Sequence, residues 1–445
     1  MGVSHDAGKP SQLAWRTDLA TAAMERVRRF MHRQNLLRAG PQELGRLQLA
    51  ALTGILEAAW KTEPYRRLYG SRPKVAKLDD LRDLPFTDRA YLASFPVEQR
   101  ITDAADDLEP EPSTGTSGEV MVSMRSPDES TLQVILWMRQ LLAQGIGPRE
   151  RHLVFDFSMD PSAPLELQQN VGRLPGWGPI EMQADAVHSF RPSVLSGPPS
   201  CLLELAECIG PFPVRSLGTF GEVVTPEDRA ELRHYFGAAT FDLYSASETG
   251  HISWQCARRD GYHVNSDTLL VEVLDDEDRP VPPGEAGHIV ITTLWNPTMP
   301  VIRYRIGDIG MLLPDQCECG ITLPLMGPVE GRFIDRLATH DGRRVSAMRM
   351  ALASVGPYHA SIRRWRLVQR SVDDILVEIV WAGEPVPDLA QRMSEGYARA
   401  LGGPVSVEIR EVERFSLPRG RKFRWVESLV PSYARRDSNP RPSGP

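Results

Sequence analysis

The segment STGTSG, residues 113–118, combines four hydroxyl side chains with two glycines in a composition suited to holding an anion. Glycines allow the backbone to turn its N–H groups toward phosphate oxygens, and serine and threonine add donors without charge. Runs of Ser, Thr and Gly also occur as ordinary linkers, so the segment alone leaves both interpretations open. A Walker loop would carry a lysine beside its last hydroxyl, whereas Glu119 follows here. The candidate phosphate ligands are Ser113, Thr114, Gly115, Thr116, Ser117 and Gly118.

Polar segments that contain glycine or a carboxylate recur downstream of this loop. Taken singly, each has a structural interpretation: a Tyr-to-Glu run can end a core strand and begin a solvated helix, and Gly-Asp is a common turn. Asp308 follows a predicted strand and a glycine, and its two oxygens suit two neighbouring hydroxyl donors. The segments are FGE (220–222), YSASETG (244–250), RYRIGDIG (303–310), GRFIDR (331–336) and PRGRKFR (418–424).

With STGTSG, this ordered series resembles the adenylate-forming superfamily of acyl-CoA synthetases and related ligases. The likeness is greatest to the phenylacetate–CoA ligase type and its capsule-biosynthesis relatives, and EPYRRLY and LPFTDRAYL in the N-terminal part support it. It extends over about residues 50 to 427. The family's cofactors would be ATP and Mg²⁺, with coenzyme A as a co-substrate.

The resemblance implies a nucleotide site built from several of these segments. The hydroxyl loop would hold the ATP phosphates, with backbone N–H groups and magnesium carrying more of the affinity because the family's loop lysine is missing. Gly221 and Glu222 would contact the adenine, and Tyr244 would stack on it. Ser245 stands where the family has glycine, and Ser247 would contact phosphate in place of threonine.

The same resemblance assigns the charged positions. Glu248 would hold the Mg²⁺ that bridges ATP oxygens, a hard cation that prefers oxygen ligands. Asp308 would bind the ribose hydroxyls, and Arg332 would reach the ribose or phosphate. Lys422 would follow charge on the α-phosphate, although its basic segment is also typical of a solvated loop. Ile334 departs from the family's polar hinge residue, which puts the thioester-forming rotation in doubt. The catalytic set implied is Thr116, Glu248 and Lys422.

Four Cys and His residues have spacings typical of a metal site. Cys317 and Cys319 form C-E-C-G, and Cys256 and His263 end the segment CARRDGYH. Three thiolates and one imidazole satisfy tetrahedral Zn²⁺ and leave no open position, so such a metal would be structural. The alternative is a set of unligated thiols in a turn.

Composition narrows the class of protein. Of 445 residues, 41% are hydrophobic and 24% charged, as in soluble globular proteins, and the net charge of −7 comes without a basic, aromatic-rich run for nucleic acid. No apolar run has membrane-spanning length, and the N-terminal segment GVSHDAGKPSQ lacks the apolar core of a signal peptide, so we expect no membrane partner and a cytoplasmic location. Cys201 and Cys208 are expected on the inner face of a helix.

The pattern of elements predicts an α/β protein with more than one core. Residues 42–60 have helical spacing, 121–300 alternate short apolar runs with helices, and 269–294 resemble a β-hairpin. We expect a large multi-layer α/β N-terminal domain, with helices packed on β-sheets, and a small α+β C-terminal domain, a mobile lid by family likeness. The boundaries are 1–330 (helical to about 95, ATP and acid site from about 110), 331–430, and a disordered tail at 431–445.

The resemblance implies an ATP-dependent, AMP-forming ligase that converts a carboxylic acid to an acyl-adenylate and passes the acyl group to coenzyme A. An amide-forming or other nitrogen-directed ligase of secondary metabolism is the first alternative, and a catalytically idle nucleotide-binding homologue is the second. Dimers are common in the group, so a homodimer is a further expectation. The available aromatic walls of an acid pocket are Trp177, Phe190 and Phe220.

Overall fold

The computed structural model describes most of the chain between residues 28 and 430. Site predictions at residues 113–118, Arg332, Ile334 and Lys422, and the pocket residue Trp177, lie outside the described residues. The described ranges are 28, 30–102, 107–112, 122–156, 159, 163–176, 180–258, 261–329, 337–342, 344–345, 361–381, 383–413 and 426–430.

A nine-stranded mixed sheet forms the centre of the larger part of the chain. In spatial order its strands are β15 (Leu325–Met326), β11 (Tyr262–Val264), β10 (Gly250–Gln255), β9 (Thr240–Ala246), β8 (Ser216–Phe220), β7 (Val194–Gly197), β4 (His152–Asp156), β6 (Val171–Pro175) and β5 (Glu166–Gln168). The five neighbouring strands from β9 to β6 run parallel, and the outer strands are antiparallel to their neighbours.

Helices cover this sheet and the second one described below. The predicted helix at 42–60 is confirmed, as is the alternation of strands and helices after residue 121. A 3₁₀ segment covers Leu78–Asp83. The described α-helices are α1 (Pro41–Trp60), α2 (Glu63–Tyr69), α3 (Arg89–Ala93), α4 (Val97–Arg100), α5 (Pro127–Ala143), α6 (Ile180–Phe190), α7 (Pro199–Ile209), α8 (Pro226–Phe236) and α9 (Leu389–Leu401). None of them is long and apolar enough to cross a bilayer.

Local sequence explains where the helices beside the sheet begin and end. At the start of α8, Thr225 and Asp228 exchange side-chain-to-backbone hydrogen bonds in a capping box, and Gly237 ends the helix in the left-handed conformation. The start of α5 has the same reciprocal pair in Ser126 and Glu129. These caps satisfy backbone donors that the first turn of a helix leaves without partners.

The main core lies between the parallel strands and α6 to α8. Leu153, Leu195 and Leu217 point from successive strands into this layer and are fully buried with Phe236 of α8. Cys201 on α7 lies in the same core, as predicted. The prediction for Cys208 was wrong, because its side chain is exposed on α7, whereas the next residue, Ile209, packs against the core.

A second, four-stranded sheet carries the predicted hairpin. It packs with α1 and α2 around a core that contains Leu52, Tyr65 and Tyr304. A separate pair, β2 (Glu109–Pro112) and β3 (Val122–Arg125), is antiparallel, with Pro112 opposite Val122 at the end nearest the hydroxyl loop. The four strands are, in order, β1 (Thr87–Asp88), β14 (Tyr304–Gly310), β13 (Gly287–Thr293) and β12 (Leu269–Leu274).

The C-terminal residues form their own α+β unit, as the pattern predicts. The amphipathic helix α9 buries Met393 and Tyr397 against a four-stranded sheet. A short pair precedes them, β16 (Leu337–Ala338) and β17 (Arg344–Val345). In order, the strands of the sheet are β20 (Ser406–Glu411), β19 (Asp374–Trp381), β18 (Ile362–Ser371) and β21 (Val426–Ser428). The fold class is confirmed, whereas the boundary near residue 330 and the lid motion stay predictions.

A buried charge cluster fastens the N-terminal residues to the central sheet. Arg139 of α5 and Asp267 have no exposed side-chain surface and pair at 2.9 Å, and Arg33 donates to the same carboxylate at 2.9 Å. Burial alone would raise the pKa of Asp267, but Arg139 and then Arg33 outweigh it and the pKa is lowered. The ion pair therefore stabilises the fold above the usual pKa range of aspartate, and this contribution is lost as the pH falls through the lowered value.

Asp267→Asn is expected to lower the free energy of unfolding at neutral pH by about 3–5 kcal/mol, since it leaves Arg139 buried without a counter-charge. Denaturant unfolding measures this difference, which should shrink as the pH falls below the ordinary aspartate range. Glu57→Gln, in an exposed ion pair with Arg72, is the control and should unfold like the wild type. Equal stability of Asp267→Asn and wild type at pH 7 would contradict the assignment.

Candidate functional site

Two of the predicted nucleotide residues meet where the two sheets approach each other. The hydroxyl of Tyr244, near the end of β9, donates to Oδ2 of Asp308 on β14 at 2.6 Å. Asp308 is buried, with 6% of its surface exposed. The YSASETG and RYRIGDIG segments, 64 positions apart between these two residues, therefore form one site.

A backbone irregularity explains the glycine before Asp308. In β14 the pairing with β13 shifts between Arg305 and Ile309, and Gly307 lies inside this bulge with φ of 85°. A residue with a side chain is strained at that φ, which makes glycine the natural choice. A bulge redirects the side chains next to it, and here the neighbouring carboxylate faces Tyr244.

Glu248 lies in the turn between β9 and β10 and is 5% exposed. Its Oε1 accepts from Arg89 at 2.8 Å and from the Tyr304 hydroxyl at 3.2 Å. Burial, with the nearby Glu248 carboxylate second, raises the pKa of Tyr304, so this phenol stays protonated and donates. The alternative interpretation of a solvated helix start was wrong, because this residue is buried in a turn.

The strand that follows the hydroxyl loop is tied to this turn. Arg125 of β3 donates from Nη2 to the carbonyl of Ser247 at 2.9 Å, and its guanidinium lies 5.5 Å from the ring centre of Trp295. The Trp295 indole in turn donates to the carbonyl of Thr249 at 3.2 Å. Arg125 thus ties the end of the β2–β3 pair remote from the loop to the Glu248 turn, and Thr116 and the rest of the loop lie outside the described residues.

The remaining predicted residues in the described ranges surround the same point. Gly221 and Glu222 directly follow β8, whose last residue, Phe220, pairs with Leu243 just before Tyr244. Ser245 is paired with His251 across β9 and β10. The carboxyl ends of β8 and β9 therefore deliver the adenine-contacting candidates to one edge, which is the usual ligand side of a parallel sheet.

Sequence reasoning missed Arg89 and Arg125 and did not give Tyr304 a separate role. Arg89 belongs to the LPFTDRAYL segment and Tyr304 to RYRIGDIG, so the motifs contained the signal. Their partners are distant in sequence: 159 positions separate Arg89 from Glu248. Only tertiary packing brings such charges together.

Arg303, the first residue of RYRIGDIG, has a structural role. It donates to both carboxylate oxygens of Glu272 at 2.9 and 3.1 Å and to the carbonyls of Arg82 and Leu84 at 2.6 Å. Its guanidinium also lies 4.0 Å from the ring centre of Phe86. These contacts lock the segment before β1 onto β14 and hold the start of α3, with Arg89, beside the site.

The four predicted metal ligands lie together on the far strands of the large sheet. The donor atoms of Cys256, His263, Cys317 and Cys319 all fall within 4.8 Å of one another. Sγ of Cys256 and Cys317 are 3.6 Å apart, and Sγ of Cys319 is 3.3 Å from Nε2 of His263. A tetrahedron of sulfurs about 2.3 Å from zinc has edges of roughly 3.8 Å, so the spacing fits the ion.

No family model matches the chain, whereas curated relatives do. A phenylacetate–coenzyme A ligase of Thermus thermophilus is 28% identical over 368 residues, 75% of this chain and 81% of the relative. One of Escherichia coli is 28% identical over 324 residues, 67% and 73% of the two chains. A crystal structure of a 2-hydroxyisobutyryl-CoA ligase in the postadenylation state with 2-HIB-AMP superposes with a TM-score of 0.73 at 20% identity, over 88% and 90%. The last likeness shows a shared fold.

Arg89→Met is expected to destabilise the protein by about 1–3 kcal/mol, because it leaves the Glu248 carboxylate buried without its cation, partly screened by the 20% exposure of the arginine. The matched double variant Arg89→Met/Glu248→Met removes both charges and should recover most of the loss. Urea unfolding compares the two. If the single and double variants unfold alike, the ion pair does not hold this turn.

Proposed function

Since the chain belongs to the adenylate-forming superfamily as a relative of the phenylacetate–CoA ligases, we propose that it is an ATP-dependent, AMP-forming acid ligase. It would activate a carboxylic acid as an acyl-adenylate and transfer the acyl group to coenzyme A. The observation that carries the proposal is the meeting of Tyr244 and Glu248, from one segment, with Asp308, from another, at the carboxyl edge of the parallel strands.

The nucleoside half of ATP would lie at the Tyr244–Asp308 pair. The buried Asp308 carboxylate has two oxygens for two ribose hydroxyls, and Tyr244 offers an aromatic face beside it. The 2.6 Å hydrogen bond between them holds the aspartate ready before the ribose arrives. Gly221 and Glu222 would contact the adenine from the neighbouring strand.

The phosphates would lie toward Glu248 and the hydroxyl loop. A carboxylate oxygen is the ligand type that magnesium prefers, so Glu248 fits the role of metal ligand. The metal, when bound, supplies positive charge against the triphosphate. Arg89 and Tyr304 fix the rotamer of Glu248, and Arg125 fixes Ser247, which would contact a phosphate.

In the first half-reaction an oxygen of the substrate carboxylate attacks the α-phosphorus of ATP. A new P–O bond forms, the bond to the bridging oxygen of the β-phosphate breaks, and pyrophosphate leaves with the electron pair. Lys422 would neutralise charge that grows on the α-phosphate, while Thr116 and its neighbours would hold the departing phosphates. Because these steps need positioning and charge stabilisation alone, no side-chain nucleophile is required.

In the second half-reaction the thiol of coenzyme A attacks the acyl carbonyl, a C–S bond forms, and the bond to AMP breaks. The names of the relatives support coenzyme A as the acceptor. The C-terminal α+β unit, beginning near residue 331, would act as a lid that supplies Lys422 and Arg332 to the first step. Cytoplasmic location and dimerisation stay predictions.

We also propose that the Cys256, His263, Cys317 and Cys319 cluster binds a structural zinc ion. All four donor atoms are of types that zinc binds, their spacing fits a tetrahedron, and His263 and Cys256 are buried. Four protein ligands leave no position for substrate, and the cluster packs with Leu37, Leu44 and Trp254 in a core away from Asp308. The metal would therefore join the end of β10, strand β11 and the segment before β15, with the N-terminal residues Leu37 and Leu44 packed beside it.

The function is tested by acid-dependent ATP–pyrophosphate exchange over a panel of acids. Asp308→Ala should raise KM for ATP by about 10- to 100-fold, because it removes charge-assisted hydrogen bonds made in ground and transition states alike. Lys422→Ala should lower kcat by about 100- to 1000-fold with a smaller change in KM. Glu57→Gln is a matched surface control.

Absence of exchange with every acid, from folded protein, would favour the idle nucleotide-binding homologue. Unchanged exchange in both variants would refute the site assignment. Product analysis with coenzyme A and a panel of amines then decides the acceptor: thioester formation supports the proposal, and amide formation alone would replace it with the nitrogen-directed ligase.

The zinc proposal predicts a stoichiometric zinc ion in protein purified without added metal, measured by atomic emission. Cys317→Ser should lose the ion and lower the melting temperature, since metal binding free energy contributes to folding. Cys208→Ser, an exposed thiol outside the cluster, should retain both. Metal-free wild-type protein with an undiminished melting temperature would contradict the assignment.

A further inference from the structure

A small cavity adjoins the proposed nucleotide site inside the larger part of the chain. It lies between α5 and strands β7, β8 and β9 and encloses about 30 Å³. Phe220 and Leu243, which pair in register, line it, and they directly precede Gly221 and Tyr244. A water needs about 10–15 Å³ of such space, so the enclosed part has room for roughly two waters or a similarly small group of atoms.

The cavity wall is neutral. Trp137, Leu141 and Phe241 contribute apolar surface, and none of the described residues that line it is Asp, Glu, Lys or Arg. An ionised group taken into such a space would lose its hydration without gaining a counter-charge. A ligand group that enters the cavity must therefore be uncharged.

Phe190, another aromatic residue expected to form the acid pocket, instead packs against the main core.

One hydroxyl in the wall has a free proton. Ser196 of β7 lines the cavity, and its Oγ lies 2.6 Å from Nε2 of the buried His152. Nδ1 of His152 is buried with no hydrogen-bond partner among the described residues, and the ring stacks on Trp137 at 5.0 Å. A buried N–H without a partner is rarer than an unpaired lone pair, so the proton belongs on Nε2.

This tautomer determines what Ser196 can do. Burial lowers the pKa of His152 to about 3, so the ring is neutral and carries a single proton. If Nε2–H donates to Ser196 Oγ, the serine acts as acceptor there and its own O–H stays available for a second partner. The structure gives that O–H no acceptor among the described residues, and the cavity lies in front of it.

The neighbouring backbone leaves room for this hydroxyl. Gly218 of β8 lies opposite Ser196 in the parallel register. A Cβ built on Gly218 would overlap Ser196 Oγ, so any larger residue would push the serine away or fill the space. Glycine therefore keeps the donor at the cavity surface.

We infer that the cavity receives the end of the substrate acid remote from its carboxylate, and that this end carries an uncharged oxygen acceptor for the Ser196 hydroxyl. The inference rests on the proposed function. The substrate class is a compact hydroxy, alkoxy or oxo acid, with either a small aromatic ring or a short chain between its two ends. The flat surfaces of Trp137 and Phe241 suit either linker.

Matched acids that differ only in the remote oxygen test the inference. The aromatic arm compares para-hydroxyphenylacetate with phenylacetate, and the aliphatic arm compares omega-hydroxypentanoate with pentanoate. In at least one arm, wild-type kcat/KM for pyrophosphate release should favour the oxygenated acid by about 10-fold or more, because the other acid leaves a buried donor unpaired. The arm that shows this preference identifies whether an aromatic ring or an aliphatic chain links the two ends of the preferred acid.

Ser196→Ala should abolish that preference by lowering kcat/KM for the oxygenated acid about 10-fold while leaving its partner unchanged. Ser216→Ala is the matched control, because Ser216 is also a buried serine of the same sheet. It is the first residue of β8, whereas the cavity lies toward the last residues of that strand. It should keep the wild-type preference.

The outcomes separate the two proposals. Turnover of acids without a preference in either arm, or a preference that survives in Ser196→Ala, overturns this inference and leaves the ligase function standing. Failure of every acid to support pyrophosphate release from folded wild-type protein overturns the ligase function, and this inference with it.

Discussion

The arrangement of the site depends on one buried carboxylate and the two groups that hold it. Glu248 lies in a turn of the large sheet, Arg89 comes from the N-terminal helices, and Tyr304 begins a strand of the second sheet. A buried charge requires partners, and here the carboxylate and its two partners come from three parts of the chain. Meeting this requirement fixes how the two sheets approach each other, and the same approach sets Tyr244 against Asp308.

The sequence allowed several of these features to be predicted because they depend on residue type and local pattern. Alternating apolar residues identified β12 and β13, and helical spacing identified α1. The Cys256, His263, Cys317 and Cys319 set was predicted from chemistry alone, and the structure brings all four donor atoms together. The resemblance of the ordered segments to the adenylate-forming superfamily implied that Tyr244 and Asp308 share a site, and the structure joins them by a hydrogen bond.

Other features could not be predicted, because they depend on contacts between distant residues. Arg89 and Arg125 carry ordinary charges in the sequence, and their roles follow only from packing beside Glu248 and Ser247. Cys208 lies seven positions after the buried Cys201, yet in the last turn of α7 its side chain is exposed and Ile209 packs against the core instead. The free proton of Ser196 depends on the tautomer of a histidine on another strand.

We infer that one nucleotide site lies between the large sheet and β14, and a crystal structure with a non-hydrolysable acyl-adenylate analogue tests this placement. Both ribose hydroxyls should lie within hydrogen-bond distance, about 2.5–3.2 Å, of the Asp308 carboxylate, with the acyl group directed between α5 and β8. An analogue bound at another surface, with no ribose hydroxyl near Asp308, would contradict this placement.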